Sequence, residues 1–130
     1  MYKVTIADIC ELTEEVLKVE FLSDAPNDAG ARSSNIVSSV VIEGRIAYDF
    51  DKMFMKDSTK QIAAWALVKP DSVDTYKAVS VEFDHTGIAR KYELTHAFVV
   101  SFLERFEDQN GYFKLVLRQK KDRLDGVFVS

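Results

Sequence analysis

From Val79 to Val129 the sequence alternates apolar and polar residues in short runs, broken about every ten residues by turn chemistry. A period of two puts one face of each run against a core and the other toward water, which restricts this half of the chain to antiparallel strands. Val79, Val81 and Phe83 alternate up to a tight turn at His85-Thr86-Gly87, and Arg90 to Leu94 returns as the hairpin partner. Ala97 to Phe106 reads as a longer strand, with Val100 and Phe102 on one face and Val99, Ser101 and Leu103 on the other. Asp108-Gln109-Asn110-Gly111 is a hairpin turn signal, because Asn-Gly accepts the positive φ that such turns require. Tyr112 to Gln119 follows as a strand, Lys120 to Arg123 as a polar turn, and Leu124 to Val129 as a final strand.

The first half continues the pattern with interruptions. Tyr2, Val4 and Ile6 alternate with Lys3, Thr5 and Ala7, Glu11 to Glu15 reads as a polar connection, and Val16 to Phe21 reads as a second strand. Ser23 to Asn35 carries Ser, Asp, Asn, Pro and Gly almost throughout and no large apolar anchor. Segments of that length without an apolar anchor are uncommon inside compact domains and usually carry function or are disordered. Ile36 to Phe50 resumes as strand, with Gly44 marking a bulge. One helix is expected, over about 58–69. Ser58-Thr59-Lys60-Gln61 has the form of a capping box, Ile62, Trp65, Ala66 and Lys69 share a face, and Pro70 stops it. Many short strands with one helix point to a sandwich or barrel of 130 residues, one domain over 1–130.

The net charge of −4 argues against general binding to nucleic acid or anionic membrane, both of which need a cationic field. The chain has one cysteine, Cys10, so neither an internal disulfide nor a Cys-rich metal site is available. The alternating start Met1 to Ile6 has no long apolar run behind a basic stretch, so neither a signal peptide nor a membrane insertion is expected, and assembly is expected in the cytoplasm.

Catalytic chemistry finds no constellation. His85 and His96 lie apart, with no partner at ligand spacing, and read as solvated histidines. Cys10 reads as a small buried hydrophobe. Gly30, Gly44, Gly87, Gly111 and Gly126 are scattered singly and form no phosphate loop. Glu14-Glu15 and Glu107-Asp108 are acid pairs in polar turns with nothing nearby to desolvate them. Trp65 belongs to a core face. Arg118, Lys120, Lys121 and Arg123 form the one basic concentration. It fits strand-edge protection, a nucleic-acid face backed by Tyr112 and Phe113, or a contact with acids of a neighbouring subunit. No catalytic residue, metal ligand or cofactor is therefore expected.

The order of features resembles a known family. Two opening strands lead through Asp28-Ala29-Gly30-Ala31-Arg32-Ser33-Ser34 to a third, Asp57-Ser58-Thr59 opens the helix, and a meander closes on Tyr112 to Lys121. Over nearly its whole length the chain is similar to the tube proteins of type VI secretion systems, the haemolysin co-regulated protein family, and more broadly to contractile-tail tube subunits. The resemblance implies a mainly β fold: a closed β-barrel formed by two packed antiparallel sheets with one flanking α-helix. It implies a non-enzymatic subunit that forms homo-hexameric rings, stacked into a tube with a central channel for effectors. Its expected partners are further copies of itself and the sheath, baseplate or spike, and effector proteins of the same machine, through which it would be exported. Nucleic acid is expected only if the tube belongs to a phage tail. The role of subunit or ring-stacking contact carries over to the long loop, at Asp24, Asn27, Asp28, Arg32, Ser33, Ser34 and Asn35. Two other readings remain: a phage or phage-like tail tube protein, and, from another class, a small monomeric β-barrel that binds a ligand or peptide.

Overall fold

The computed structural model describes residues 1–24, 37–46, 58–108 and 110–130. Eight strands and one helix follow in the order β1 (Tyr2–Ile6), β2 (Cys10–Leu12), β3 (Val16–Asp24), β4 (Val37–Arg45), α1 (Ser58–Ala66), β5 (Lys77–His85), β6 (Ile88–Glu107), β7 (Asn110–Gln119) and β8 (Val127–Val129). The mainly β, antiparallel reading with one helix holds. The strands form one sheet rather than two. Its hydrogen-bonded order is β2-β1-β5-β6-β7-β4-β3, with β8 paired to β6 beside β7. Among the described residues no ladder joins β2 to β3, so the path of ladders is open. The sheet instead folds over on itself, and Phe21 of β3 stacks on Tyr92 of β6 with ring centroids 4.3 Å apart.

Strand β6 explains how one sheet turns back. The sequence predicts two strands here, 90–94 and 97–106, but they are one strand of 20 residues. It pairs with β5 through Ile88–Ala97 and with β7 through Ala97–Glu107. Two register shifts bend it. One lies between Leu94 and Ala97 opposite β5, the other at Val100 opposite β7. Extra residues of this kind increase local twist and redirect side chains. The second shift corrects the expected facing: Val99 and Phe102 pack on the core while Val100 is exposed.

Gln119 secures the first bend. Its Oε1 accepts from the His96 amide at 2.9 Å, and its Nε2 donates to Thr95 Oγ1 at 3.0 Å and to the Arg123 carbonyl at 2.7 Å. A fully buried amide has to satisfy its donors and acceptor inside the protein, and here the partners are the bulge itself. The turn after β7 is thereby tied down, and β8 resumes pairing with β6 at Leu94, Glu93 and Tyr92.

The core lies between the two halves of the folded sheet. Val40, Ile42, Phe113, Leu115 and Leu117 face Val4, Ile6, Val79, Val81, Leu94 and Ala97. Helix α1 covers one end, against β2 and β6, with Ile62 and Trp65 buried as their spacing predicts. The helix is shorter than expected. It stops at Ala66, and tight turns follow, Leu67 N–H to Ala64 O and Val68 N–H to Trp65 O, so Lys69 is an exposed loop residue. The loop is held instead by Trp65 Nε1 donating to Thr75 O at 3.0 Å and Thr75 Oγ1 donating to Lys69 O at 2.7 Å. The Ser58 side chain, and with it the capping box, lies outside the described residues.

Other differences are local. The segment 11–15 is not wholly a connection, because Glu11 and Leu12 form β2 with Cys10 and pair with Thr5 and Val4. The bulge expected at Gly44 is on the opposite strand. Val16 pairs with Gly44 and Lys18 with Glu43, leaving Leu17 as the extra residue. Gly44 is still required, since a Cβ there would run into the Glu15 carbonyl oxygen and come within 2.8 Å of the Phe113 ring. The β5–β6 turn is as predicted, with Thr86 and Gly87 at φ 42° and 84°. In the β6–β7 hairpin, Asn110 pairs with Glu107, so Asn110-Gly111 lies in the strand, and among the described turn residues Asp108 has a positive φ. The final strand is shorter than expected, because Leu124–Gly126 is a single 3-10 turn. Strand β4 ends at Arg45, and residues 47–57 lie outside the description.

Candidate assembly surfaces

Asp24 is the last residue of β3 and pairs with Val37, the first residue of β4. Its side chain is exposed. Asn27, Asp28, Arg32, Ser33, Ser34 and Asn35, the other residues expected at subunit contacts, lie outside the described residues. The described residues on either side of that stretch, Asp24 and Val37, are a ladder pair. In the β4–β7 ladder Ser39 pairs with Arg118, two residues on from Val37. The Asp24–Val37 pair therefore lies at the end of the sheet where β7 runs into Lys120 to Arg123, the basic turn singled out by sequence.

Strand β3 supplies the second feature. It is a nine-residue edge strand, and among the described residues its outer edge has no ladder partner. Edges of that length attract a further strand unless they are blunted. The bulge at Leu17 and the Lys18 cation blunt its beginning. Lys18 Nζ lies 2.7 Å from Glu20 and 3.8 Å from Glu43. The hydrogen bond from Lys18 holds the Glu20 carboxyl below its ordinary pKa, and the same bond holds Lys18 above its own. Beyond Glu20, Leu22 is 56% exposed, with no such protection. Exposed apolar side chains also sit on β6 (Leu103 57%, Phe106 68%) and on β8 (Phe128, Val129).

A cleft of about 320 Å³ opens between β3 and the β5–β6 hairpin, lined by Tyr2, Val19, Phe21, Val81, Phe83, Ile88, Arg90 and Tyr92. The Phe21–Tyr92 stack and the tilted Tyr2–Phe83 pair, 5.1 Å between centroids, occupy much of its wall. Among the described residues, Arg90 is its one charged lining residue.

The residues weighed for chemistry are not brought together. His85 sits at the β5–β6 turn against the Phe83 ring, and His96 Nδ1 lies 2.9 Å from Thr95 Oγ1 on another part of β6. Cys10 is half-buried in β2, where burial first and the Glu15 charge second push its thiol up to about 11. A thiol so protonated is a poor nucleophile at neutral pH. Among the described residues no group of three His, Cys, Asp or Glu side chains could hold a metal ion, and no helix is long and apolar enough to cross a membrane.

No protein-family model and no curated protein matches the sequence. Solved structures do match the fold. Hcp1 from Flavobacterium johnsoniae superposes over 91% of this chain and 89% of its own, with a TM-score of 0.53 at 16% identity. The chain has the Hcp fold. A component of the sheath–tube complex of an extracellular contractile injection system, PVC, in its extended state matches over 99% of this chain and 87% of its own, with a TM-score of 0.53 at 8% identity. A component of the six-fold symmetrised baseplate of the anti-feeding prophage, AFP, matches over 99% and 90%, with a TM-score of 0.51 at 14% identity. The likeness is to parts of injection machinery, not to enzymes. At these identities shape is shared while side chains are not, which is the expected outcome for a fold held by strand alternation and packing volume.

The basic turn was visible in the sequence as a charge cluster. Its neighbours Tyr76 and Phe98 were not, because they come from two other parts of the chain and meet it only through the β5–β6–β7 pairing.

Proposed function

We propose that this chain is a structural, non-catalytic subunit of the inner tube of a contractile injection or secretion machine, one domain per copy, assembling as hexameric rings that stack around a central channel for effectors. The observation that carries this reading is the fold shared with Hcp1 and with components of two contractile injection assemblies over at least 91% of the chain. The long edge of β3, blunted only at its beginning and without a ladder partner among the described residues, supports it, since a subunit in a ring has a neighbour to cover such an edge. In this reading the sheet acts as a barrel whose seam is closed by side chains, Phe21 on Tyr92, in place of a ladder. The segment Asp24 to Asn35 makes ring-to-ring or neighbour contacts, and the sheath, baseplate or spike and effectors are its further partners. The subunit is assembled inside the cell and exported through the machine it builds.

Size-exclusion chromatography with light scattering, followed by electron microscopy, tests the reading. Rings of about six copies with a central hole are the expected result. A strict monomer at high protein concentration and low salt overturns it. A phage-like tail tube is the same role in another particle, and neighbouring genes distinguish the two: a sheath, baseplate and ATPase set against capsid and terminase genes.

A further inference from the structure

The two ends of β7 are chemically opposite. The strand has ten residues, which sets its ends roughly 30 Å apart. At its start, the adjoining end of β6 carries Glu104, Glu107 and Asp108 against Arg105, with Arg45 of β4 opposite Tyr112 on the other side of the strand. Arg105 is already engaged, with Nε 3.4 Å from Glu107 and its guanidinium 5.2 Å from the centre of the Tyr112 ring. Phe106 lies between these acids in sequence, 68% exposed, and pairs with Gly111 across the hairpin.

At the other end, β7 runs into Lys120, Lys121, Asp122 and Arg123. Here Tyr76, Phe98, Lys120, Lys121 and Asp122 line a groove of about 470 Å³. Lys120 Nζ lies 4.9 Å from the centre of the Tyr76 ring and 3.7 Å from Asp122, and Phe98 meets Tyr76 edge-on at 5.9 Å. Lys121 and Arg123 have no acidic partner among the described residues. The groove thus offers an apolar aromatic floor with the paired Lys120 and the uncompensated Lys121 on its rim. It suits an aromatic side chain flanked by carboxylates. A nucleotide fits less well, because the net charge of −4 gives no wider cationic field for a phosphate backbone.

The chain itself carries such a segment, at the opposite end of the same hairpin. We infer that copies of this chain engage end to end, with the Glu104–Asp108 end of β6 of one copy seated in the Tyr76/Phe98/Lys120/Lys121 groove of the next. The two surfaces complement each other and neither complements itself. The contact is therefore heterologous, and with its halves at opposite ends of a long hairpin it propagates along the strand direction. It rests on the tube reading for its setting and gives ring stacking a second attachment, at the sheet end that also holds the Asp24–Val37 pair.

The test compares wild type with three variants: K120E/K121E, E104K/D108N, and the four changes together. Circular dichroism and melting confirm folding, light scattering counts copies per ring, and electron micrographs give stack length at about 50 and 500 mM salt, which bracket strong and weak screening. Each double variant is expected to keep rings but lose at least about ten-fold in the fraction stacked, the effect of removing about 1.4 kcal/mol or more per ring-to-ring junction. The quadruple variant, with the polarity exchanged, is expected to recover stacking. Doubles that stack like wild type overturn the inference, and so does a quadruple variant that fails to recover. If wild type forms linear chains without rings, and the doubles abolish them, the hexameric-ring reading falls while this contact stands. If wild type forms neither rings nor chains, both fall.

Discussion

The two edges of the sheet are built in opposite ways. At one edge β2 has three residues, and helix α1 packs against it. Leu12 is wholly buried there, within the core cluster that includes Ile62 and Trp65. At the other edge β3 has nine residues, alternates inward Val19 and Phe21 with outward Lys18, Glu20 and Leu22, and shows no ladder partner on its outer side among the described residues. A short strand under a helix is finished within the chain, whereas a long bare strand is a template for another chain. The difference teaches where stability is concentrated and where assembly can be altered without unfolding the subunit.

The largest expected effect breaks the finished edge. Leu12→Ala removes a fully buried side chain between β1 and the helix, and should destabilise by about 2–5 kcal/mol through lost burial and the cavity left behind. Urea unfolding followed by circular dichroism measures it. A loss below about 1 kcal/mol would show that the site collapses freely, and that α1 does not finish this edge. Gly44→Val tests the inner neighbour of the other edge. The new side chain has to displace the Glu15 backbone or the Phe113 ring, at an expected cost of about 1–3 kcal/mol. The same denaturation curve would detect it, and a neutral result would show that β3 is held loosely enough to yield.

Cys10 adds a pH dependence to the finished edge. Its thiol is raised in the folded chain to about 11 from an ordinary value of 9.0. Because the folded pKa is the higher, the contribution is fully present below about pH 9 and is lost as pH rises toward 11. Its size is small, since the residue is only half-buried. Stability measured between pH 8 and 11 should fall more steeply in wild type than in Cys10→Ala. Equal slopes would place the thiol in contact with water.

The fold was legible in the sequence wherever the determinant was local. Alternation located β1, β5 and β7, and Thr86-Gly87 located a turn, because side-chain period and φ preference act within a few residues. What the sequence withheld depends on pairing. Residues 90–94 and 97–106 look like two strands, since nothing local reveals that Gln119, many residues later, will satisfy the bulge at Thr95 and His96. Glu11 and Leu12 look like a connection until Thr5 and Val4 are beside them. The candidate surfaces divide the same way. Lys120 and Lys121 were visible as charge, while the groove they border needs Tyr76 and Phe98 from β6 and the loop before β5.

The smallest expected effect on stability falls on the open edge, where the comparison is sharpest. Leu22→Ser replaces a side chain 56% exposed on β3, beyond the Leu17 bulge and Lys18 that blunt the start of the strand. Exposed positions away from caps and buried networks usually change stability by less than about 0.5 kcal/mol, so the melting temperature should hardly move. Glu20→Gln beside it removes an ion pair that is wholly on the surface, and the depressed Glu20 carboxyl should drift back toward its ordinary value in high salt. If β3 is covered by a neighbouring copy, Leu22→Ser should lower the ring population by several-fold or more in light scattering while leaving the subunit folded, because burying the exposed half of a leucine contributes about 1 kcal/mol or more that a serine cannot replace. If rings persist unchanged, the bare edge is simply tolerated, and the neighbour contacts must be sought on Leu103, Phe106 and the β8 end instead.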